Sequence, residues 1–137
     1  MMDIYKKIKE LGYEIPEPPP ISGQGPTNKG IPIVTGKVGT ERTIEEGQEA
    51  ARICALNAIS VLHDYLGDLN KIKSLVKILA FVASDDNFNQ QPKVVDGASK
   101  LLADIFGEEN GIGARSAIGV KELPGNITVE IEFVFKI

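Results

Sequence analysis

Ile127-Thr128-Val129-Glu130-Ile131-Glu132-Phe133-Val134-Phe135-Lys136-Ile137 places apolar residues at every odd position and mostly polar ones between them. Successive side chains of a strand point to opposite faces, so this stretch reads as a β-strand with one face in the core. The other face carries Glu130 and Glu132. Residues 115–123 read as its hairpin partner across the turn Leu123-Pro124-Gly125-Asn126. A two-residue Pro-Gly turn opposes Val120 to Val129 and Ile118 to Ile131. That register puts Arg115, Ala117, Gly119 and Lys121 on the face of Glu130 and Glu132. Pro-Gly is not a preferred hairpin turn, and a bulge there would move the parity.

Upstream, Pro92 suits the first turn of a helix whose apolar stripe runs Val94/Val95, Ala98, Leu101/Leu102 and Ile105 before Gly107 stops it. Residues 108–113 read as a loop. Residues 72–83 are almost continuously apolar, as expected of a central strand buried on both faces. Before Gly67-Asp68 lies a second helix, capped by Thr43 with Glu45 and Glu46 in its first turn. Its apolar positions recur at 51, 54, 58, 61/62 and 65, opposite Glu45, Glu49, Arg52, Ser60 and His63. The buried stripe is built from Gly47, Ala51, Cys54 and Ala58, small enough for close approach to a sheet. Cys54 reads as packing and His63 as a surface histidine. Residues 31–36 form a short strand ending in a glycine turn. Residues 3–11 form an amphipathic helix, with Asp3 as cap and Gly12 as stop. Five of the eight prolines then fall between Pro16 and Pro26, which makes that stretch an extended loop or edge segment.

The order of elements is strand, helix, strand, helix, strand, strand. It implies an α+β fold, a mixed β-sheet with two helices packed on one face, in one domain spanning 1–137. Residues 1–20 are an N-terminal helix plus a proline-rich extension. The helix-free face mixes Ala117, Gly119 and Val134 with charges, so it is either wet or used in self-association. The long apolar strand favours self-association.

Composition removes several function classes. One cysteine and one histidine in 137 residues exclude an internal disulfide, a Cys-x-x-Cys site, a zincin and a two-histidine ribonuclease. The absence of Trp, with three Tyr and five Phe, supplies base-stacking platforms poorly. A net charge of −4 and a pI near 5.0 lack the electrostatic footprint of nucleic-acid binding, which is therefore not expected. No apolar run approaches the roughly 20 residues that span a bilayer, and the amino terminus has no apolar signal core. No membrane association and a cytoplasmic location are expected. Gly23-Gln24-Gly25 has Asn28 at the third glycine position and no strand before it, so it is no dinucleotide fingerprint. Asn126-Ile127-Thr128 matches a glycosylation sequon but reads as a turn.

Chemistry concentrates at Arg115, which follows a glycine-rich loop and has Ser116 beside it and Glu130 on the next strand. An arginine fork at a strand edge can clamp a small carboxylate, and a neighbouring carboxylate can orient a water or shuttle a proton. The same spacing also fits a cross-strand surface pair with no further role.

The segment Ala114-Arg115-Ser116, followed by Leu123-Pro124 and Val129-Glu130-Ile131-Glu132, resembles the carboxy-terminal signature of the Rid family, also called YjgF or L-PSP endoribonuclease-like. Residues 33–36 resemble that family's Thr-Ser-Gly segment, and the likeness runs roughly from residue 21 to the end. Residues 46–57 and 91–99 are closer to a less characterised branch than to the well-studied deaminases. The resemblance implies a chorismate-mutase-like subunit and a homotrimer with ligand clefts between subunits. It also implies hydrolysis of reactive 2-imino or enamine acids to 2-oxo acids and ammonia, without metal or organic cofactor. On that basis Arg115 would bind the substrate carboxylate and Glu130 would position or activate the attacking water. The backbone around Ala117 would face the ligand, Thr35 and Gly36 would line the opposing wall, and Asp96 would stand near the ligand. Three positions depart from the pattern: Ala117 replaces a cysteine, Thr27 a tyrosine and Asp96 an asparagine. A non-catalytic module that binds a small carboxylate and regulates a partner is the alternative. An endoribonuclease or translation inhibitor is the third, disfavoured by the acidic pI and lone histidine.

Overall fold

The computed structural model describes residues 3–18 and 23–137. Its centre is β3 (Ser74–Ala83), flanked by β4 (Ala114–Val120) on one side and β5 (Val129–Lys136) on the other. β4 runs parallel to β3 and β5 antiparallel, so the sheet is mixed. Parallel neighbours need a crossover, and α3 (Gln91–Phe106) supplies it. The hairpin expected between residues 115–123 and β5 does not form. Residues 121–128, with a turn of 3-10 helix at Pro124–Asn126, instead carry the chain past β3 to the opposite edge.

Register against β3 then sorts the faces. Ile78, Ala80 and Val82 are buried under the helices and stand opposite Arg115, Ala117 and Gly119. Leu79 and Phe81, on the other face, stand opposite Glu132 and Glu130. Arg115 and Glu130 therefore occupy opposite faces of the sheet, not one face as the hairpin register had required. Ile78 and Phe81, their partners on β3, are three residues apart, and an odd separation along a strand reverses the side. β3 is central as expected, but it is buried on one face only. Leu79 and Phe81 are half-buried, and Val76, at a bulge between Leu75 and Lys77, is 47% exposed.

The helix layer follows the sequence closely. α2 (Ile44–Leu66) starts in a reciprocal capping box: Thr43 Oγ1 accepts from Glu46 N, and Glu46 accepts from Thr43 N. It ends at Gly67, whose φ of 73° suits glycine. Ala51, Cys54 and Ala58 are buried as expected. Ser60 and Tyr65 are reversed: Ser60 is buried and donates to the Pro16 carbonyl, whereas Tyr65 is 81% exposed. The N-terminal segment accounts for Ser60, because it covers the α2 face assigned to solvent. α3 buries the whole expected stripe from Val94 to Ile105. Residues Glu108–Gly111 form a short helix, α4, where a loop was expected.

α1 (Ile4–Glu10) is capped by Asp3, and its Ile4 and Ile8 enter the core beside Leu69 and Phe106. Ile4 N donates to Asn70 Oδ1 at 2.7 Å. Tyr5 OH accepts from Leu69 N at 2.9 Å and lies 3.1 Å from His63 Nδ1. His63 is thus half-buried beneath α1, not a free surface histidine. Part of the proline-rich stretch, residues 19–22, lies outside the described residues. Beyond it Gln24 exchanges two 2.9 Å backbone hydrogen bonds with Ile131, extending the sheet at the β5 edge. The strand expected at 31–36 reduces to a small hairpin of β1 (Thr27–Asn28) and β2 (Ile31–Pro32), plus a bridge from Thr35 to Ile127. Among the described residues no helix is long and apolar enough to cross a membrane.

Candidate functional site

Arg115 is placed by a close backbone approach. A Cβ on Gly113 would lie 2.6 Å from the Val76 carbonyl oxygen, so only glycine lets the chain enter β4 this tightly. From there the Arg115 side chain reaches over α3. Its Nη1 donates to Asp96 Oδ1 at 2.8 Å and to Ser99 Oγ at 3.0 Å. Asp96 and Ser99 are three residues apart and share a helix face, which is why one nitrogen meets both. Their contacts take both hydrogens of Nη1. Nε and Nη2 have no partner among the described residues, and they form the side edge of the guanidinium, whose parallel donors match a carboxylate.

Beside this pair lies an open cleft of about 450 Å³ between α3 and the turn before β4. Leu75, Ile78, Ala103 and Ile112 give it apolar walls, and Asp96, Ser99, Lys100 and Arg115 its polar groups. Lys100 is engaged by Asp104 at 2.9 Å, a hydrogen bond that raises its pKa above the ordinary 10.5. The Asp96 side chain is 56% exposed, and ion pairs this open contribute about 0–1 kcal/mol. The pair therefore orients the guanidinium more than it stabilises the fold.

Further along the same edge, Ala117 offers only a methyl group, with no acid or nucleophile. At Gly119 a Cβ would come within 2.7 Å of Gln91 Nε2. Gln91 in turn donates to the Phe88 carbonyl at 2.8 Å and to Ser84 Oγ at 3.3 Å, closing the upper end of the β4–α3 junction. Sequence reasoning missed Ser99, Gln91 and Ser84. The i, i+3 spacing of Asp96 and Ser99 beside an apolar stripe was the available signal.

Glu130, Thr35 and Gly36 lie on the other side of the sheet's centre. Glu130 is half-buried on the helix-free face, and a Cβ on Gly23 would lie 3.1 Å from its Cγ, so the 23–25 segment packs directly over it. Thr35 bridges Ile127, and its carbonyl accepts from Arg42 Nε at 2.6 Å. Gly36 has a φ of 98°; its N–H donates to the Asn126 carbonyl and its own carbonyl accepts from Thr128 Oγ1, both at 2.9 Å. Asn57, also missed, reaches from α2 to hold this side together. Its Nδ2 donates at 3.0 Å to the carbonyls of Gly25 and Thr27. The chain thus gathers Arg115, Asp96 and Ala117 along β4 and α3, and Glu130, Thr35 and Gly36 near β5. It does not bring the two groups together, since β4 and β5 are two strand spacings apart, roughly 10 Å. Cys54 serves neither group. It is fully buried with Sγ 3.7 Å from the Val129 carbonyl, and burial pushes its thiol well above the ordinary value, as an inert packing residue requires.

A family profile described as "YjgF/chorismate mutase-like, putative endoribonuclease" matches residues 18–131. The chain belongs to this family. The Rid signature read from Ala114-Arg115-Ser116 and Val129-Glu130-Ile131-Glu132 agrees with that assignment, and so does the α+β fold with its mixed sheet. Protein TCP17 of Trypanosoma cruzi is 45% identical over 112 residues, covering 82% of this chain and 70% of that protein. A crystal structure of a protein of unknown function from Agrobacterium tumefaciens is 39% identical, with a TM-score of 0.89, over 98% of this chain and 91% of that one. A structure described as a putative endoribonuclease from Shewanella oneidensis is 26% identical, with a TM-score of 0.93, over 99% of this chain and all of that one. Both structural relatives of this Rid protein cover nearly its whole length, so their likeness extends through α1, which precedes the family profile.

Proposed function

We propose that this Rid protein binds a small carboxylate at Arg115 and hydrolyses reactive 2-imino acids to 2-oxo acids and ammonia. The observation that carries the reading is the Arg115 guanidinium, which lines an open cleft and is held there at Nη1 by Asp96 and Ser99, leaving Nε and Nη2 without a partner among the described residues. The substrate carboxylate docks on the edge these two form. Glu130 of the partner subunit, in a homotrimer, orients a water against C2 of the imine. Water adds across the C=N bond, the nitrogen takes a proton, and the carbinolamine expels ammonia as the C=O bond forms. The separation of Arg115 from Glu130 within one protomer supports a site completed between copies. The backbone at Ala117 faces the ligand, and Thr35 and Gly36 of the partner subunit line the far wall.

The test is an imine-hydrolysis assay. An amino-acid oxidase generates a panel of 2-imino acids, and semicarbazide traps what survives. Wild type should lower the trapped imine and Arg115→Ala should not. No acceleration from a folded trimer, on any imine, would overturn the enzymatic reading. A specific observation favours binding without turnover as the second reading: within one chain the carboxylate beside Arg115 is Asp96, already engaged by the guanidinium at 2.8 Å, while Glu130 lies on the opposite face of the sheet. The endoribonuclease in the family's description finds less support, because His63 lies under α1 against Tyr5 and not at the cleft.

A further inference from the structure

Asp96 shapes the cleft as much as Arg115 does. Its Oδ1 is 2.8 Å from Arg115 Nη1, so any anion docked on the guanidinium arrives beside a second negative charge. Ser99 takes the remaining hydrogen of Nη1, a second contact that holds the guanidinium beside Asp96. The other cation of the cleft, Lys100, is engaged by Asp104 and does not offset Asp96. From the charges of its own chain, a ligand bearing a carboxylate alone meets one favourable and one unfavourable group. A ligand bearing a carboxylate and an adjacent cationic nitrogen meets two favourable ones, because Asp96 Oδ2 has no partner among the described residues and the side chain is open to the cleft.

We propose that the Asp96–Arg115 pair makes this a zwitterion site, selecting α-ammonium and α-iminium acids over simple carboxylates. The inference rests on the carboxylate site proposed above and names its ligand class. The carboxylate binds the Nε–Nη2 edge of Arg115 and the cationic nitrogen donates to Asp96. For an imine substrate the same contact holds the nitrogen protonated, which makes C2 the better electrophile. The zwitterion R–C(=NH2+)–COO− and one water then give R–CO–COO− and NH4+. Both hydrogens of the water pass to nitrogen and its oxygen to C2, and no redox partner is required.

The experiment is calorimetric titration of the full-length protein with L-alanine and L-lactate, which differ at the nitrogen position and little elsewhere. Wild type should bind alanine at least roughly tenfold more tightly, the scale of one charge-assisted hydrogen bond. In Asp96→Asn, and in Asp96→Ala as a second variant, that preference should fall to within about twofold, lactate gaining as alanine loses. Equal binding of the two ligands by wild type, or an alanine preference surviving both variants, overturns the zwitterion inference and leaves the carboxylate site standing. No binding of either ligand by wild type, or wild-type binding by Arg115→Ala, overturns the carboxylate site and this inference with it.

Discussion

Arg115 and Asn57 show how differently two polar side chains serve one fold. Arg115 is an edge residue whose ion pair is open to water, so its removal should leave stability within about 0.5 kcal/mol of wild type. Arg115→Lys keeps the charge and loses the fork, and should lower imine hydrolysis at least about tenfold while the thermal midpoint stays put. Retention of full activity would show that no bidentate contact is made. Asn57 is 3% exposed, and its amide satisfies the carbonyls of Gly25 and Thr27. Asn57→Ala removes the amide donor from the Thr27 carbonyl and leaves Gly25 only the Thr27 N–H, and should cost about 1–3 kcal/mol in urea denaturation. Part of this was legible beforehand. The Ala-Arg-Ser and Val-Glu-Ile-Glu segments marked Arg115 and Glu130 as residues of interest. Their relative placement was not legible, because it depends on which strand lies between them. A short link between two strands suggests a hairpin, and nothing within residues 121–128 announces that β3 is inserted there. The parallel pairing had a signal that was passed over: a strand, a helix of the length of α3 and another strand form a crossover unit.

At the scale of the elements, α2 and α3 approach closely because glycine permits it. A Cβ on Gly97 would lie 2.0 Å from the backbone carbonyl oxygen of Gln48. In an isolated helix Gly→Ala is favourable by about 1 kcal/mol. Here the obstacle is backbone, which cannot swing aside, so the helices must separate and the core beneath Val94 and Val95 opens. The clash should win, with Gly97→Ala lowering the unfolding free energy by about 2 kcal/mol or more. A stabilised variant would mean that the helices slide freely. The capping box of α2 gives a pH dependence. The Thr43 backbone N–H, and after it Arg42, hold the Glu46 carboxyl below its ordinary 4.5. A depressed acid contributes stability that is present above its unfolded pKa and lost as pH falls through the folded one. Glu46→Gln still caps but cannot titrate. The acid side of the curve of thermal midpoint against pH should therefore be shallower below about pH 4.5 in Glu46→Gln than in wild type. These local devices were legible because caps, stripes and stops are short-range patterns. The reversal of Ser60 was not, since what covers it comes from Pro16, far away in sequence.

At the scale of the whole molecule, the helix-free face and the divided site ask for the same partner. Val76, Ile118 and Val134 are 47%, 46% and 53% exposed there, around half-buried Leu79, Phe81 and Val120. An apolar face of that kind, interrupted by Lys77, Glu130 and Glu132, fits a second copy better than water. Arg115 and Glu130 cannot serve one ligand from the same chain, whereas in a cyclic assembly the β4 edge of one copy can face the β5 side of the next. Light scattering should therefore give a trimer, and Ile118→Lys, which charges the face without touching the cleft, should give monomers that remain folded by circular dichroism and hydrolyse no imine. A more incisive measurement mixes two inactive variants. Arg115→Ala and Glu130→Ala, unfolded together and refolded as a mixture, assemble at random. About a quarter of the junctions of a cyclic trimer then join an intact Arg115 to an intact Glu130 from its neighbour. Imine hydrolysis should return to roughly that fraction of wild type in the mixture, while each variant refolded alone stays inactive. A mixture as inactive as its components, from trimers shown to contain both chains, would place Arg115 and Glu130 in separate roles and end the case for a site shared between copies.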